Sequence, residues 1–389
     1  MTRLSGLRSA HSFARTFPIV SLLFATVITT VVTRSAEAQV HGYYRFPSIN
    51  GTAVVFSSEG DLFVGSTNGG SAFRLTSHAG QETYPVISPD GSSVAFAASY
   101  EGTTEVYVMP LGGGSPTRLT WDGGSVPVAW TPDGRVVYRT YRYSTLPSDQ
   151  LVIVDPKSIA RERIPLYEAA EVTFAPDGTL YFTREPRQGS NSRWYKGGRA
   201  QSIWKWKKGD KTATPLTADW PGTSKTPFWY DGRIYFLSDR GGRAMNVWSM
   251  KTDGSDVQPL TRHMDFDIQE HALSGGSNGA TIVYRMGADL YRLDVNSGTS
   301  ALLTTTIVSD NEQRRVTWED NPDRYITSAE ISPDGSKIAL TARGDVFVAP
   351  VKGGRVANVS RNSGIRHRYA RFTADGKSLL IAGQSIAHP

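Results

Sequence analysis

The chain has 389 residues, among them 38 Gly, 21 Pro, 9 Trp, 17 Tyr and 15 Phe, and no Cys. Glycine at about a tenth of the sequence, with no collagen-like period, is the composition of a turn-rich β protein; zero cysteine excludes disulfides, thiolate zinc sites and a cysteine nucleophile. The formal charge is +6, but Arg3, Arg8, Arg15 and Arg34 against Glu37 account for half of it, and the +3 that remains gives no electrostatic reason to propose nucleic acid as a partner.

In chain order, the first element reads as an export signal over residues 1–38. Arg3, Arg8 and Arg15 precede an apolar stretch from Phe17 to Val32, and Ala36-Glu37-Ala38 supplies a small-x-small cleavage site. The alternative is a retained anchor, but the 18 residues between Arg15 and Arg34 are at the low end for a span, and Thr29, Thr30 and Thr33 weaken it. Either reading places the chain from Gln39 onward across the membrane, periplasmic or secreted, with the membrane touched only through the signal.

From there one turn signature recurs to the end: Ile49-Asn50-Gly51, Pro89-Asp90-Gly91, Pro132-Asp133-Gly134, Pro176-Asp177-Gly178, Tyr230-Asp231-Gly232, Ser277-Asn278-Gly279, Pro333-Asp334-Gly335 and Ala374-Asp375-Gly376. The glycines stand 40, 43, 44, 54, 47, 56 and 41 residues apart. Pro presets φ, Asp bonds its own backbone and Gly takes the left-handed corner, which together specify a tight hairpin. Alternating strands follow each turn, as in Val94-Ala95-Phe96 then Glu105 to Met109, and Lys337 to Leu340 then Asp345 to Val348. Many units close on a Gly pair and a Leu-Thr or Val-Ser step, as in Gly113-Gly114 to Leu119-Thr120 and Gly353-Gly354 to Val359-Ser360. About four short strands per roughly 40 to 50 residues is the period of a propeller blade. A β-sandwich has turns every 8 to 12 residues but does not predict the long repeat.

Ser88-Pro89-Asp90-Gly91 and Ser332-Pro333-Asp334-Gly335 resemble the exported propeller repeats of TolB and of tricorn-type proteases. The stretches Pro47 to Thr76, Arg193 to Trp204, Asp231 to Arg240, Thr261 to Ile268 and Ala342 to Pro350 resemble tricorn segments in that family's order, and the similarity covers nearly all of residues 43 to 386. The resemblance implies a six-bladed propeller, then a seven-bladed one, a further domain, a PDZ module and a serine peptidase domain whose catalytic serine falls beyond residue 389. The expected fold is therefore all-β: a six-bladed β-propeller followed by the first one to two blades of a second, incomplete one. The boundaries are a signal peptide at 1–38, the first propeller at 43–304, a linker at 305–328 and the truncated second propeller at 329–389. Its apolar positions, including Ile331, Leu340, Phe347 and Ile381, are expected to lack a flanking sheet.

Three local patterns bear on chemistry. Gly275-Gly276-Ser277-Asn278-Gly279 matches a nucleophile elbow, but Ser277 occupies the repeat's turn and no helical pattern follows, so it reads as a hairpin. His263, Asp265, Asp267, Glu270 and His271 crowd together; alternation would put 263, 265 and 267 on one strand face, yet the spacing suits no metal well and a polar network is the preferred reading. From Arg193 to Lys211, Trp194, Tyr195, Trp204 and Trp206 interleave with Lys196, Arg199, Lys205, Lys207, Lys208 and Lys211. Such a stretch can stack on single-stranded nucleic acid, but Trp204 and Trp206 alternating with Lys205 and Lys207 suit a strand with one packed and one wet face, beside a long loop from Arg184 to Gly198. Asp239-Arg240 and Arg343-Gly344-Asp345 read as turn-associated ion pairs. No residue is assigned to catalysis, to a cofactor or to a metal. The partners expected are peptides or the peptidase domains of the same family; the alternative is an autonomous TolB-like propeller binding envelope proteins, disfavoured because TolB carries an α/β domain ahead of its propeller.

Overall fold

The computed structural model describes residues 43–385 apart from 147, 186–194, 243, 277–278, 310–317 and 362–364. The described residues form strands and no α-helix, and the chain divides into two compact units after residue 310. The expected export signal and the Ser277-Asn278 turn lie outside the described residues.

In the first unit, six sheets follow one another along the chain. The first holds β1 (Arg45–Asn50), β2 (Ala53–Ser58), β3 (Asp61–Ser66) and β4 (Gly70–Arg74); the second, β5 (Glu82–Ile87), β6 (Ser93–Ala98), β7 (Glu105–Pro110) and β8 (Thr117–Arg118). The third holds β9 (Val126–Trp130), β10 (Val136–Thr140), β11 (Gln150–Val154) and β12 (Arg161–Arg163); the fourth, β13 (Glu171–Phe174), β14 (Leu180–Thr183), β15 (Ile203–Trp206) and β16 (Thr214–Pro215). The fifth holds β17 (Ser224–Tyr230), β18 (Arg233–Ser238), β19 (Asn246–Lys251) and β20 (Gln258–Pro259); the sixth, β21 (Ile268–Gly276), β22 (Gly279–Met286), β23 (Asp289–Asp294) and β24 (Ser300–Leu302). Within each, the spatial order is the chain order and neighbours are antiparallel.

The hairpin between the first two strands is built as its residue types dictate. At Asp90 the carboxylate accepts from Ser88 Oγ at 2.5 Å and from the Ser92 N–H at 3.1 Å, while the Ser93 N–H donates back to Ser88 Oγ at 3.0 Å. Gly91 takes φ 72°, where a side chain is disfavoured. The same circuit recurs at Ser332, Asp334 and Ser336, and the hydrogen bond from the serine pulls both carboxyls down to about 2.

The Leu-Thr ending has an equally specific role. In the first, second, fourth and fifth sheets the threonine hydroxyl accepts the backbone N–H of a third-strand residue fourteen positions earlier: Leu62 to Thr76 at 2.8 Å, Val106 to Thr120 at 2.9 Å, Ile203 to Thr217 at 2.9 Å and Val247 to Thr261 at 3.0 Å. Two of these hydroxyls donate onward to the residue that opens the third strand, Thr120 to Glu105 at 2.6 Å and Thr261 to Asn246 at 2.8 Å. The leucine before the threonine continues the ladder by donating its N–H to the same third-strand residue, as Leu119 does to Val106 at 2.8 Å. A fourth strand of two or three paired residues is thereby fastened to its sheet.

Both faces of every sheet in this unit are packed. Five clusters of buried apolar residues lie between successive sheets, from Val55, Phe96 and Tyr107 between the first and second to Leu237, Ile282 and Tyr284 between the fifth and sixth. The remaining cluster joins the sixth to the first, through Ala272, Val283 and Leu290 against Tyr44, Ile49 and Phe56. The innermost strands touch in the same order, with β21 against β1. Ile203 faces the fifth sheet while Trp204 and Trp206 face the third, so β15 has two packed faces rather than the packed and wet pair that alternation suggested.

Residues 305–308, assigned to a linker on repeat arithmetic, form β25 (Thr305–Val308), which runs parallel to β4 as a fifth strand of the first sheet. Tyr44 Oη donates to the Thr305 carbonyl at 2.8 Å and the Tyr44 N–H to that of Ala288 at 3.0 Å, so both ends of the unit are tied to each other. The turn signature could not mark this strand because β25 belongs to no hairpin.

The second unit carries β26 (Ile326–Ile331), β27 (Lys337–Ala342), β28 (Asp345–Pro350) and β29 (Ala357–Asn358) in one sheet, and the hairpin β30 (Ile365–Phe372) with β31 (Leu379–Ser385). β26 starts inside the span expected to be linker. Ser360 Oγ repeats the hydroxyl clamp, accepting from Val346 N–H at 3.1 Å and donating to Asp345 at 2.8 Å. One small cluster, centred on Ala339, Val346 and Ala370, joins the two sheets, while Ile331, Tyr369 and Leu380 stay 62%, 69% and 68% exposed.

Two outcomes are expected. Thr120→Val leaves the Val106 N–H without its acceptor in a buried place and should lower the unfolding free energy, measured by denaturant titration, by about 1 to 3 kcal/mol, with Thr120→Ser restoring most of it; an unchanged unfolding free energy in the valine variant would remove the clamp from the stability account. In limited proteolysis followed by mass spectrometry, the first long-lived fragment should end near residue 308, because the second unit has a single apolar contact face. Survival of 318–385 alongside the first unit would show that it gains cover from elsewhere.

Candidate functional site

The innermost strand of each sheet in the first unit has a free edge, and those six edges border one cavity of about 370 Å³. β1, β5, β9, β13, β17 and β21 all contribute, with Arg139 of β10. This volume lies within the range of small-ligand sites. Much of the wall is proline, aliphatic or aromatic, including Pro47, Pro85, Pro127, Pro227, Phe46, Tyr84 and Phe228.

A repeated backbone distortion shapes the wall. β1, β5 and β17 each carry a bulge, and the residue before the proline, Phe46, Tyr84 or Thr226, has φ of 51°, 52° or 53°. Left-handed geometry is costly for such residues, doubly so before proline. At two of the three, a carboxylate from the preceding sheet offsets the cost. Glu171 Oε2 accepts the Thr226 N–H at 2.7 Å, and Glu270 Oε2 accepts the Phe46 N–H at 3.2 Å. Each carboxylate has further partners: Thr183 Oγ1 donates to Glu171 at 3.0 Å, and the Arg285 guanidinium grips Glu270 through Nε at 2.5 Å and a second nitrogen at 3.1 Å.

The cations on the wall are less engaged. Arg139 lies over the Tyr84 ring at 5.5 Å, with Asp149 at 3.8 Å, and Lys225 has no ion-pair or hydrogen-bond partner among the described residues. His271 is the singular group. It occupies in β21 the place, next after the carboxylate position, that Pro47, Pro85, Pro127, Val172 and Pro227 take in the other five innermost strands. Its ring is buried, set edge-on to Phe228 at 5.0 Å between centroids, and neither ring nitrogen has a hydrogen-bond partner. Burial, and next the charge of Lys225, push its pKa down to about 3, opposed by the Tyr235 backbone, which approaches the ring without reaching ordinary hydrogen-bond geometry.

The residues singled out from sequence are dispersed. His263 to Asp267 precede β21 as irregular chain, so no strand face aligns them; His263 Nε2 meets Tyr284 Oη at 2.8 Å, Asp267 accepts the Met245 N–H at 2.8 Å, Asp265 is exposed, and Glu270 and His271 face opposite neighbouring sheets. Among the described residues no group of three or more such side chains is placed to hold a metal. The strands on either side of Ser277 pair directly, Gly276 with Gly279, and β22 follows where an elbow requires a helix. In the basic-aromatic stretch, Lys207 pairs with Asp177 at 3.1 Å, Arg199 with Glu185 at 3.5 Å, and Trp206 Nε1 donates to the Asp210 carbonyl at 3.1 Å; Arg193 and Trp194 lie outside the described residues. Asp239 and Arg240 do not pair: Arg240 bonds Asp219 at 2.7 Å and Asp239 takes the Trp220 indole N–H at 2.6 Å. Nor do Arg343 and Asp345, since Arg343 stacks on Tyr325 at 4.9 Å and Asp345 holds Ser360. Sequence reading missed Glu171, Lys225 and the placement of His271. Aligning the repeats on the prolines of the innermost strands exposes all three.

Residues 41–299 match the family described as the tricorn protease N-terminal beta propeller domain. Tricorn protease homolog 1 of Streptomyces coelicolor is 29% identical over 343 residues, covering 87% of this chain and 32% of that protein. The tricorn protease homolog of Saccharolobus solfataricus is 25% identical over 341 residues, covering 86% and 31%. The crystal structure of the tricorn protease superposes with a TM-score of 0.66 at 22% identity, over 85% of this chain and 32% of that one. The chain thus spans about a third of the length of these relatives.

The His271 environment fixes a pH dependence. The unfolded chain protonates this ring near the ordinary 6.5 and the folded chain only near 3, so stability falls as pH drops below about 6.5. His271→Val, which installs the residue found at position 172, should remove that loss, a difference of up to about 2 kcal/mol at pH 5. Glu82, pushed up to about 8 by burial, acts oppositely, costing stability as pH rises above its ordinary 4.5, but is common to both proteins. Denaturant titrations at pH 5 and pH 7.5 check the difference; parallel profiles would mean that the ring is hydrated or partnered in solution.

Proposed function

The chain belongs to the tricorn protease N-terminal β-propeller family, and from that premise we propose that it is the noncatalytic propeller region of an exported tricorn-like serine peptidase, guiding oligopeptides to or from a catalytic site on other domains. In this reading the six sheets of the first unit are the blades of one ring, and the two sheets of the second unit begin another propeller. The apolar stretch with flanking arginines at residues 17–32 would deliver it to the periplasm or the exterior.

The observation that carries the reading is the cavity bordered by all six innermost strands. A ring with a proline-rich bore of mixed polar and apolar surface, whose carboxylates are already hydrogen-bonded, suits extended peptides, which need a wall that accepts them without holding them tightly. Among the described residues lining it, no nucleophile, base and orienting acid converge as acyl transfer requires.

The test pairs activity with binding. The purified chain should leave fluorogenic oligopeptides uncleaved, yet bind fluorescein-labelled peptides of about six to ten residues with weak, saturable anisotropy changes. Val128→Trp, which fills the bore at a lining position, should abolish that binding while leaving the fold intact by circular dichroism. Hydrolysis by the chain alone would overturn the noncatalytic assignment. Binding that survives Val128→Trp would move recognition off the bore.

A further inference from the structure

Two acidic and two basic side chains line the cavity, Glu171 and Glu270 against Arg139 and Lys225. Its two acidic side chains are occupied, Glu171 by Thr183 and the Thr226 backbone and Glu270 by Arg285 and the Phe46 backbone. Lys225 lines the same space with no anionic partner among the described residues, and His271 lines it with both ring nitrogens unpartnered and the side chain buried. A buried imidazole without a hydrogen bond forfeits interactions available in water, and nothing in the packing of the other five sheets requires it, since prolines and a valine fill the same place. An ammonium in a concave, partly enclosed cavity attracts an anion more strongly than one at the open surface.

We propose that Lys225 and His271 form a carboxylate-binding subsite on the cavity wall, where the ammonium supplies the charge and an imidazole N–H donates the hydrogen bond that the folded chain leaves unmade. The subsite rests on the peptide-guiding reading and names the group it would recognise: the carboxylate of an oligopeptide, from its free C-terminus or from an Asp or Glu side chain. Phe228, edge-on to His271, gives the residue beside that carboxylate an apolar neighbour. The position on β17 and β21 makes it one-sided, so a peptide would be held with its carboxylate between the fifth and sixth sheets.

Three versions of one labelled peptide test it: free acid, C-terminal amide, and amide with a terminal Glu. The free acid should bind roughly tenfold more tightly than the plain amide. Lys225→Met and His271→Val should each erase most of that difference, and Lys225→Arg should keep it. The Glu-bearing amide identifies the source: affinity like the free acid assigns the subsite to any carboxylate, affinity like the plain amide to the C-terminus. Equal binding of free acid and both amides by the wild-type chain overturns the subsite while leaving the bore as a peptide path; no binding of any version, with Val128→Trp equally silent, overturns the peptide-guiding reading instead. Both substitutions are checked by thermal melts at pH 7.5, where the uncharged ring makes His271→Val nearly neutral for stability; an acid preference retained in both folded variants also overturns the subsite.

Discussion

A four-stranded sheet that is apolar on both faces cannot be stable alone, and that constraint governs this chain. Each sheet of the first unit buries one face on its predecessor and the other on its successor. The series ends only because the sixth sheet reaches the first, where Val283 and Leu290 meet Tyr44 and Phe56. Burial of large apolar side chains, at about 1.5 to 3 kcal/mol each, supplies the stabilisation; the hydroxyl clamps and the strand from Thr305 to Val308 supply geometry, holding short outer strands and chain ends where packing alone would let them fray.

How much of this was legible in the sequence follows from the range of the interactions. The hairpins were, because Pro, Asp and Gly act within four residues, and the bonds around Asp90 and Asp334 are those the motif encodes. The Leu-Thr ending marked the unit's close without revealing its cause, a hydrogen bond spanning fourteen residues. Partners brought together by closure were not legible at all: β25 lies more than two hundred residues from β4, and no local pattern announces it. The acidic and histidine residues from His263 to His271 illustrate the opposite error, in which sequence proximity suggested a cluster, whereas ordinary strand alternation sends the consecutive Glu270 and His271 to different neighbours.

The cavity combines both levels. Its shape comes in part from a local rule repeated in the first, second and fifth sheets, a proline after a left-handed residue; its chemistry comes from sheets that depart from that rule. Glu171 and Glu270 stand where their counterparts in the first and second sheets are aromatic, and each repairs the backbone of the next sheet. His271 stands where four of the other strands have proline, and its ring nitrogens make no hydrogen bond of ordinary geometry. In a repeat protein, the position where the repeat is broken separates function from architecture more clearly than any motif.

The prolines of the innermost strands have one more consequence. A free strand edge normally invites an extended chain to pair with it through alternating N–H and C=O groups. Pro47, Pro85, Pro127 and Pro227 remove a donor from four of the six edges, and the bulges beside three of them throw the remaining donors out of register. An extended chain laid against this wall would therefore find no continuous ladder to zip onto, so the edges are guarded against becoming the site of an extra strand.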